Sequence, residues 1–438
     1  MSDIAIEKNS VSGIAALIQT NIKSFPILME QRNQALTEFQ RLGLPASKHE
    51  EFKHTPITRI LEKNFDFSFA NPEARVTSIN EFVIPELEAN VIVFVNGKFS
   101  IELSSIRSPE TEISILSLEE AVEMKSEVVL AHLSKYIDLK SDSFANWNTA
   151  SWTSGLFVQV SANKKVETPI VVHHIQDTSN GQVISNIRNL IVVDENSSVT
   201  ILEKFDSLGK ANHFSNSVTE VVVAKNAELN LYSIQNDLGN QYQNGLTQIN
   251  QSDSSRVNTF TFSLSGKLIR NNLHLTLDGE GIESHMYGLY LLENDTLADN
   301  HTVVDHRKPN SFSNELYKGI MDGNSKGIFN GKIYVRPNAQ KTNAFQSNKN
   351  ILLTDNAGIN TKPQLEIWAD DVKCSHGCTS GQLDEEALFY LQSRGISKET
   401  SKAMMLYAFA AELLDNVKHP VIKKYIDQII SERLHKDF

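Results

Sequence analysis

Between about residue 150 and residue 376, apolar and polar side chains alternate in short runs such as "SGLFVQVSAN", "TPIVVHHI", "TEVVVAKNAELNLYSI", "NLHLTLDG" and "GIFNGKIYVRPNA", punctuated by Asn, Asp, Gly and Ser. Alternation sends every second side chain to one face of an extended strand. The runs follow one another without long helices between them, which excludes a doubly wound βαβ sheet and leaves a sandwich, a barrel or a β-helix. More than about 200 residues of this pattern exceed what one sandwich uses. Stacked coils of a β-helix, with Val, Ile and Leu inside and Asn and small polar residues in the turns, fit better. No fixed-period repeat is visible, and two sandwiches in tandem are the competing arrangement.

The two ends follow the helical period instead. In "ILMEQRNQALTEFQRLGLP", Leu28, Ala35, Leu36, Phe39 and Leu42 lie close to one face, and Gly43 and Pro45 end the helix. Residues 1–65 are read as a helical cap or docking piece. Residues 66–150 are a mixed transition segment, with a strand and turn at "ANVIVFVNGKFS" and a helical run at "SLEEAVEMKSEVVLAHLSKYI". The β-rich core is placed at 151–380 and a C-terminal helical domain at 381–438. There "LDEEALFYLQSRG" carries acids in its first turn and ends at Gly395, Ser397 can cap the next helix, and Pro420 opens a third. In that third helix Val421, Ile422, Tyr425, Ile426, Ile429 and Ile430 form a stripe that must pack, in the first instance on the chain's own body.

A chain of 438 residues is too long for one ordinary core. Its 21% charged and 40% hydrophobic residues are those of a globular protein. The net charge of −12, from 53 acidic and 41 basic residues, repels phosphate backbones and anionic lipid, so neither nucleic acid nor a membrane surface is an expected partner. No window approaches the ~20 apolar residues of a bilayer span. The start "MSDIAIEKNS" reads neither as a signal nor as a transit peptide, and two cysteines do not make a disulfide scaffold, so the expected compartment is the reducing cytoplasm.

Both cysteines lie in "DDVKCSHGCTSGQLD" with a histidine between them. "QLEIWADDVKCSH" alternates like a strand, which puts Cys374 and His376 on one face with Glu366, Trp368 and Asp370 on the same parity, adjacent members ~7 Å apart. A thiolate and an imidazole reach a metal at ~2.0 to 2.3 Å and can converge across that gap. Cys378 would lie ~13 Å from Cys374 on a continued strand, too far for a disulfide or a shared metal unless the chain bends at Gly377. Gly377 and Gly381 suit such a bend. C-x-H-x-C lacks the second ligand pair of a zinc finger, so an inert core thiol and a structural histidine stay open beside a metal or reactive-thiol role. His173 and His174 point to opposite faces if extended. His301, Asp305 and His306 form a loose loop cluster that matches no zinc motif. There is no phosphate loop, dinucleotide fingerprint or nucleophile elbow.

Taken together, "NTASWTSGLFVQV" (148–160), "FNGKIYVRPNAQKTNAFQSNKNILLTDNAGINTKPQLEIWADDVKCSHG" (329–377) and "GQLDEEALFYLQSRGI" (381–396) resemble the SufB/SufD family of iron–sulfur cluster assembly proteins. "HEEFKHTPI" (49–57) and the "CSHGxTxGQLD" spelling follow the SufD form of the family more than the SufB form. The resemblance implies a mainly β fold, a right-handed parallel β-helix between helical ends. It implies a non-enzymatic scaffold that pairs with SufB and binds the ABC-type ATPase SufC through its C-terminal region, with ATP hydrolysed by SufC. It implies that iron or a nascent cluster meets the chain transiently at His376 and Cys374, while Cys378 departs from the family pattern and inherits no role. A flavin in the complex and a homodimer of the chain alone are left open. The alternatives are a purely structural subunit with an inert Cys–His pair and, from another class, a β-helix enzyme acting on polysaccharide.

Overall fold

In the computed structural model, which describes residues 13–16, 18–19, 25–46, 48–67 and 71–434, the alternating segment winds into a parallel β-solenoid with two facing sheets. Odd-numbered strands from β5 (Ile170–Asp177) to β19 (Lys373–Gly381) stack in one sheet, and even-numbered strands from β4 (Ser154–Val160) to β18 (Gly358–Ile367) stack in the other. Each coil therefore contributes one strand to each sheet. The winding begins upstream of residue 150. β1 (Asn90–Val95) pairs parallel with β5, and β2 (Lys98–Phe99) folds back on β1. β3 (Ile113–Ser117) runs antiparallel to β4. The β1–β2 hairpin turns at Asn96 and Gly97, with φ of 51° and 77°, the left-handed pair that a two-residue hairpin loop requires.

Coil length varies, which explains why no fixed repeat is visible. Tyr242 lies beside Leu268, 26 positions on; Lys326 lies beside Gly358, 32 on; Ser154 lies beside Ile187, 33 on. From β4 onward the connections between strands run from two residues (266–267) to nine (161–169), and the recurring four-residue corners each place one residue in a left-handed conformation: Asn196 (φ 56°), Asn226 (58°), Ser254 (55°) and Asn294 (57°). Asn tolerates this region better than most residues. The corner asparagines also ladder between coils, Asn226 Nδ2 donating to Asn196 Oδ1 and Asn196 Nδ2 to Asn163 Oδ1, each at 3.0 Å.

Inside, the Val, Ile and Leu of successive coils form a continuous apolar column that includes Val172, Ile201, Leu231, Val257, Leu275, Val304 and Ile333. Helices cover the outer faces. α1 (Met29–Leu42) buries Ala35 and Phe39, and Gly43 closes it at φ 66°. α2 (Ile57–Asn64) buries Ile57 and Leu61 in the same cluster, against Phe214 and Leu268 of the solenoid. The expected helical run near residue 120 is two short helices, α3 (Leu118–Glu123) and α4 (Glu127–His132), separated where Lys125 turns left-handed at φ 52°. α5 (Ser143–Ser151) is buried along its whole length.

At the C-terminus α6 (Glu385–Ser393) buries no residue. α7 (Lys398–Leu414) and α8 (Pro420–Arg433) lie on the odd-numbered sheet, with Leu406, Leu413, Ile422, Ile426 and Ile430 packed on Tyr232, Phe260 and Leu289. The apolar stripe of the third helix thus packs on the chain's own body. No helix among the described residues is long and apolar enough to cross a membrane.

Candidate functional site

The Cys–His segment is the last strand of its sheet. Among the described residues β19 has a single neighbour, β17 (Asn343–Leu352), and β18 has a single neighbour, β16 (Lys326–Val335), so both strands of the final coil present an unpaired edge. Two expectations about this segment are corrected. "QLEIWADDVKCSH" does not run as one strand: β18 ends at Ile367, residues 368–372 turn a corner, and β19 begins at Lys373 in the opposite sheet. Glu366, Trp368 and Asp370 therefore do not share the face of Cys374 and His376. Trp368 stacks on Tyr334 at 6.2 Å and 11°, and the Arg336 guanidinium lies over both rings at 5.0 and 5.2 Å from their centroids. Nor does the chain bend at Gly377, because β19 pairs in unbroken register with β17 from Lys373 to Gly381.

With the strand straight, Cys374, His376 and Cys378 all fall on the parity that faces the solenoid interior, where Cys374 packs against the central column. Their register partners are Ala344, Gln346 and Asn348. Neighbouring members are ~7 Å apart, and the two cysteines ~13 Å, so both are free thiols. Cys374 is half-buried, and burial pushes its thiol up, so a metal must displace its proton to bind. His376 and Cys378 are exposed because no coil follows to cover them. Among the described residues no three of His, Cys, Asp and Glu are grouped to hold a metal ion.

Behind this row lies a buried polar cluster. β15 (Phe312–Met321) places Glu315 beside Gln346, and Gln346 Nε2 donates to Glu315 Oε2 at 2.7 Å. Burial pushes the Glu315 carboxyl up to about 7 against the pull of its hydrogen bonds. In the next inward rows Asn348 Nδ2 donates to Tyr290 OH at 2.9 Å, Asn350 Nδ2 donates to Asn348 Oδ1 at 2.7 Å, and the Tyr290 hydroxyl donates to Asn350. Glycines make room for these side chains: a Cβ at Gly319 would fall 2.1 Å from the Tyr290 ring, and one at Gly331 2.2 Å from Gln346 Nε2. Sequence reasoning missed this cluster. The signal was a lone Glu at an alternating position in "SFSNELYKG", which means nothing until the coil register is known.

The other histidines divide between structural settings. β14 (Leu297–His306) is a strand and not the expected loop, so His301 and Asp305 face outward while His306 turns inward to Ser313 at 2.9 Å. His301 serves as a latch for the N-terminal region. Its Nδ1 meets Glu51 at 3.1 Å and its Nε2 meets Asp299 at 2.9 Å. Glu51 also accepts from Lys332 at 2.6 Å, Thr55 and Arg270 bond Asp299, and Arg270 lies 4.0 Å over the Phe52 ring. Burial opposes ionisation of Asp299, yet Arg270 and His301 bring it down to about 2. "HEEFKHTPI" is thus the docking element, and it roofs a cavity of about 1040 Å³ on the even-numbered sheet. His174 turns inward, stacked between Phe94 and Phe205, while His173 on the opposite face is held neutral by burial, down to about 3.

Residues 174–409 match the SufBD core domain of the SUF system for FeS cluster assembly, and residues 15–172 match the SufBD protein N-terminal region. The chain is 32% identical over 419 residues to an iron–sulfur cluster assembly SufBD family protein of Synechocystis, covering 93% of this chain and 91% of that one. It is 30% identical over 416 residues to the iron–sulfur cluster assembly protein SufD of Escherichia coli, covering 92% of each.

Proposed function

The chain belongs to the SufBD family of the SUF system for iron–sulfur cluster assembly, and from that premise we propose that it is the SufD-type scaffold subunit, paired with SufB and served by the ATPase SufC. The observation that carries the site reading is the placement of Cys374 and His376 at successive interior-facing positions of an edge strand. Thiolate and neutral imidazole are suitable iron ligands. Two such groups on one chain leave most of the coordination sphere of an iron to groups from outside it, which suits cargo that is received, built upon and passed on.

Partner contacts follow the same logic. The open coil exposes unpaired strand edges together with Ile367 and Trp368, 40% and 48% exposed, and edges of this kind are templates for pairing with another chain. That end is the proposed SufB contact. The proposed SufC contact is the helical region after residue 381, where α6 leaves Phe389 and Tyr390 73% and 58% exposed. The chain acts without chemistry of its own in this reading, and ATP hydrolysis belongs to the partner. A reducing compartment such as the cytoplasm suits its two free thiols.

His376→Ala tests the site. Cluster build-up on the complex, followed by its visible absorption, should be lost while the subunits still co-purify. Normal cluster formation by the variant would sink the assignment.

A further inference from the structure

One interior row of the odd-numbered sheet reads His376, Gln346, Glu315 on successive strands. Neighbouring strands are ~4.8 Å apart, so each side chain is adjacent to the next. Gln346 and Glu315 are 3% and 1% exposed. The nitrogen of the Gln346 amide is committed to Glu315 at 2.7 Å, whereas its oxygen, Oε1, is buried without a hydrogen-bond partner. A buried unpaired acceptor is destabilising, so one standing next to a candidate ligand calls for a role. Room for the amide is provided by Gly331 on the facing sheet, whose missing Cβ would stand 2.2 Å from the amide nitrogen.

We propose that Glu315 and Gln346 are positioning residues for His376: Glu315 holds the Gln346 amide by its nitrogen, so that the amide oxygen accepts the His376 ring N–H and the other ring nitrogen keeps its lone pair for iron. A metal-bound histidine almost always donates its second ring nitrogen to a fixed acceptor, which sets the tautomer and raises ligand basicity. An amide can rotate to present either end, and only the bond to Glu315 decides which end His376 meets. This inference rests on the reading of His376 as an iron ligand.

Fe(II) titrated anaerobically into the purified complex of the chain with its partner subunits tests it. Glu315→Met removes the acceptor at similar volume, Glu315→Gln retains a carbonyl in its place, and Gly331→Ala displaces the amide while leaving Glu315 and His376 intact. Glu315→Met should weaken Fe(II) binding roughly 10–100-fold, Gly331→Ala should do the same, and Glu315→Gln should bind within a few-fold of the unaltered complex. Melting temperatures are followed in parallel, because a merely structural role would lower them together with affinity and would not be rescued selectively by Gln. Should Glu315→Met fail to fold, Gly331→Ala decides. Unaltered binding by Glu315→Met and Gly331→Ala, or equal weakening by Gln and Met, overturns the proposal. His376→Ala separates the two levels. If it alone weakens Fe(II) binding, the ligand reading stands and the positioning pair fails; if it leaves binding intact, both fall.

Discussion

Lys332 Nζ donates to Glu51 Oε1 at 2.6 Å across 281 positions of the chain, joining the N-terminal docking element to the outer face of the solenoid. Glu51 also meets His301 at 3.1 Å, so one carboxylate ties two strands to the segment that roofs the large cavity.

Glu51→Gln should therefore cost about 1–2 kcal/mol in denaturant unfolding at neutral pH, the lower part of the range for charge-assisted bonds because Glu51 is partly exposed. Hydrogen bonding to His301, against partial burial and with the help of Lys332, holds the Glu51 carboxyl well below its ordinary value of 4.5. The contribution is complete above that value and is lost as pH falls below it, because the unfolded chain then takes up the proton first. The acid limb of the stability curve should be shallower in the variant; parallel limbs would rule the latch out.

Glu315 has the opposite sign. With its folded value raised from 4.5 to about 7, the native state keeps a proton that the unfolded chain releases, so stability falls as pH rises through that window, by about 3 kcal/mol in all. Glu315→Gln lacks this slope. Its melting temperature should gain on that of the unaltered protein between about pH 5 and pH 7.5, and identical slopes would show that the carboxyl ionises freely.

In the proposed assembly, the C-terminal helices separate stability from partner binding. Ile426 is fully buried against the odd-numbered sheet, and Ile426→Ala should cost about 2–4 kcal/mol. Phe389 on α6 is 73% exposed, so Phe389→Ala should change stability by less than about 0.5 kcal/mol while weakening retention of the ATPase in pull-down. Full ATPase binding by the Phe389 variant would move the docking surface elsewhere.

Much of the fold could be read from two-residue alternation and the turn residues between runs, because strand faces and left-handed corners are local properties. The coil period could not, since coil length varies from 26 to 33 residues and blurs any repeat. At the site, the shared parity of Cys374 and His376 was legible, being a property of one strand. The corner at 368–372 left a trace that the strand reading passed over: "WADDV" sets two apolar residues and then two acids side by side, which breaks the alternation where the chain turns. Glu315 and Gln346 lay out of reach for a further reason, because adjacency between coils depends on register, which only the assembled solenoid supplies.

The unpaired last strand also makes its coil dependent on a single neighbour. In a solenoid each coil contacts only its neighbours, and among the described residues β19 has only β17 to pair with. A chain in which β17 is not laid down has no surface for its final strand, and so cannot bring Cys374 and His376 into line. In the proposed reading, competence to receive iron is thereby conditional on the preceding coil: the position of the site on an edge strand acts as an inspection step, withholding the proposed ligand pair until that coil is in place.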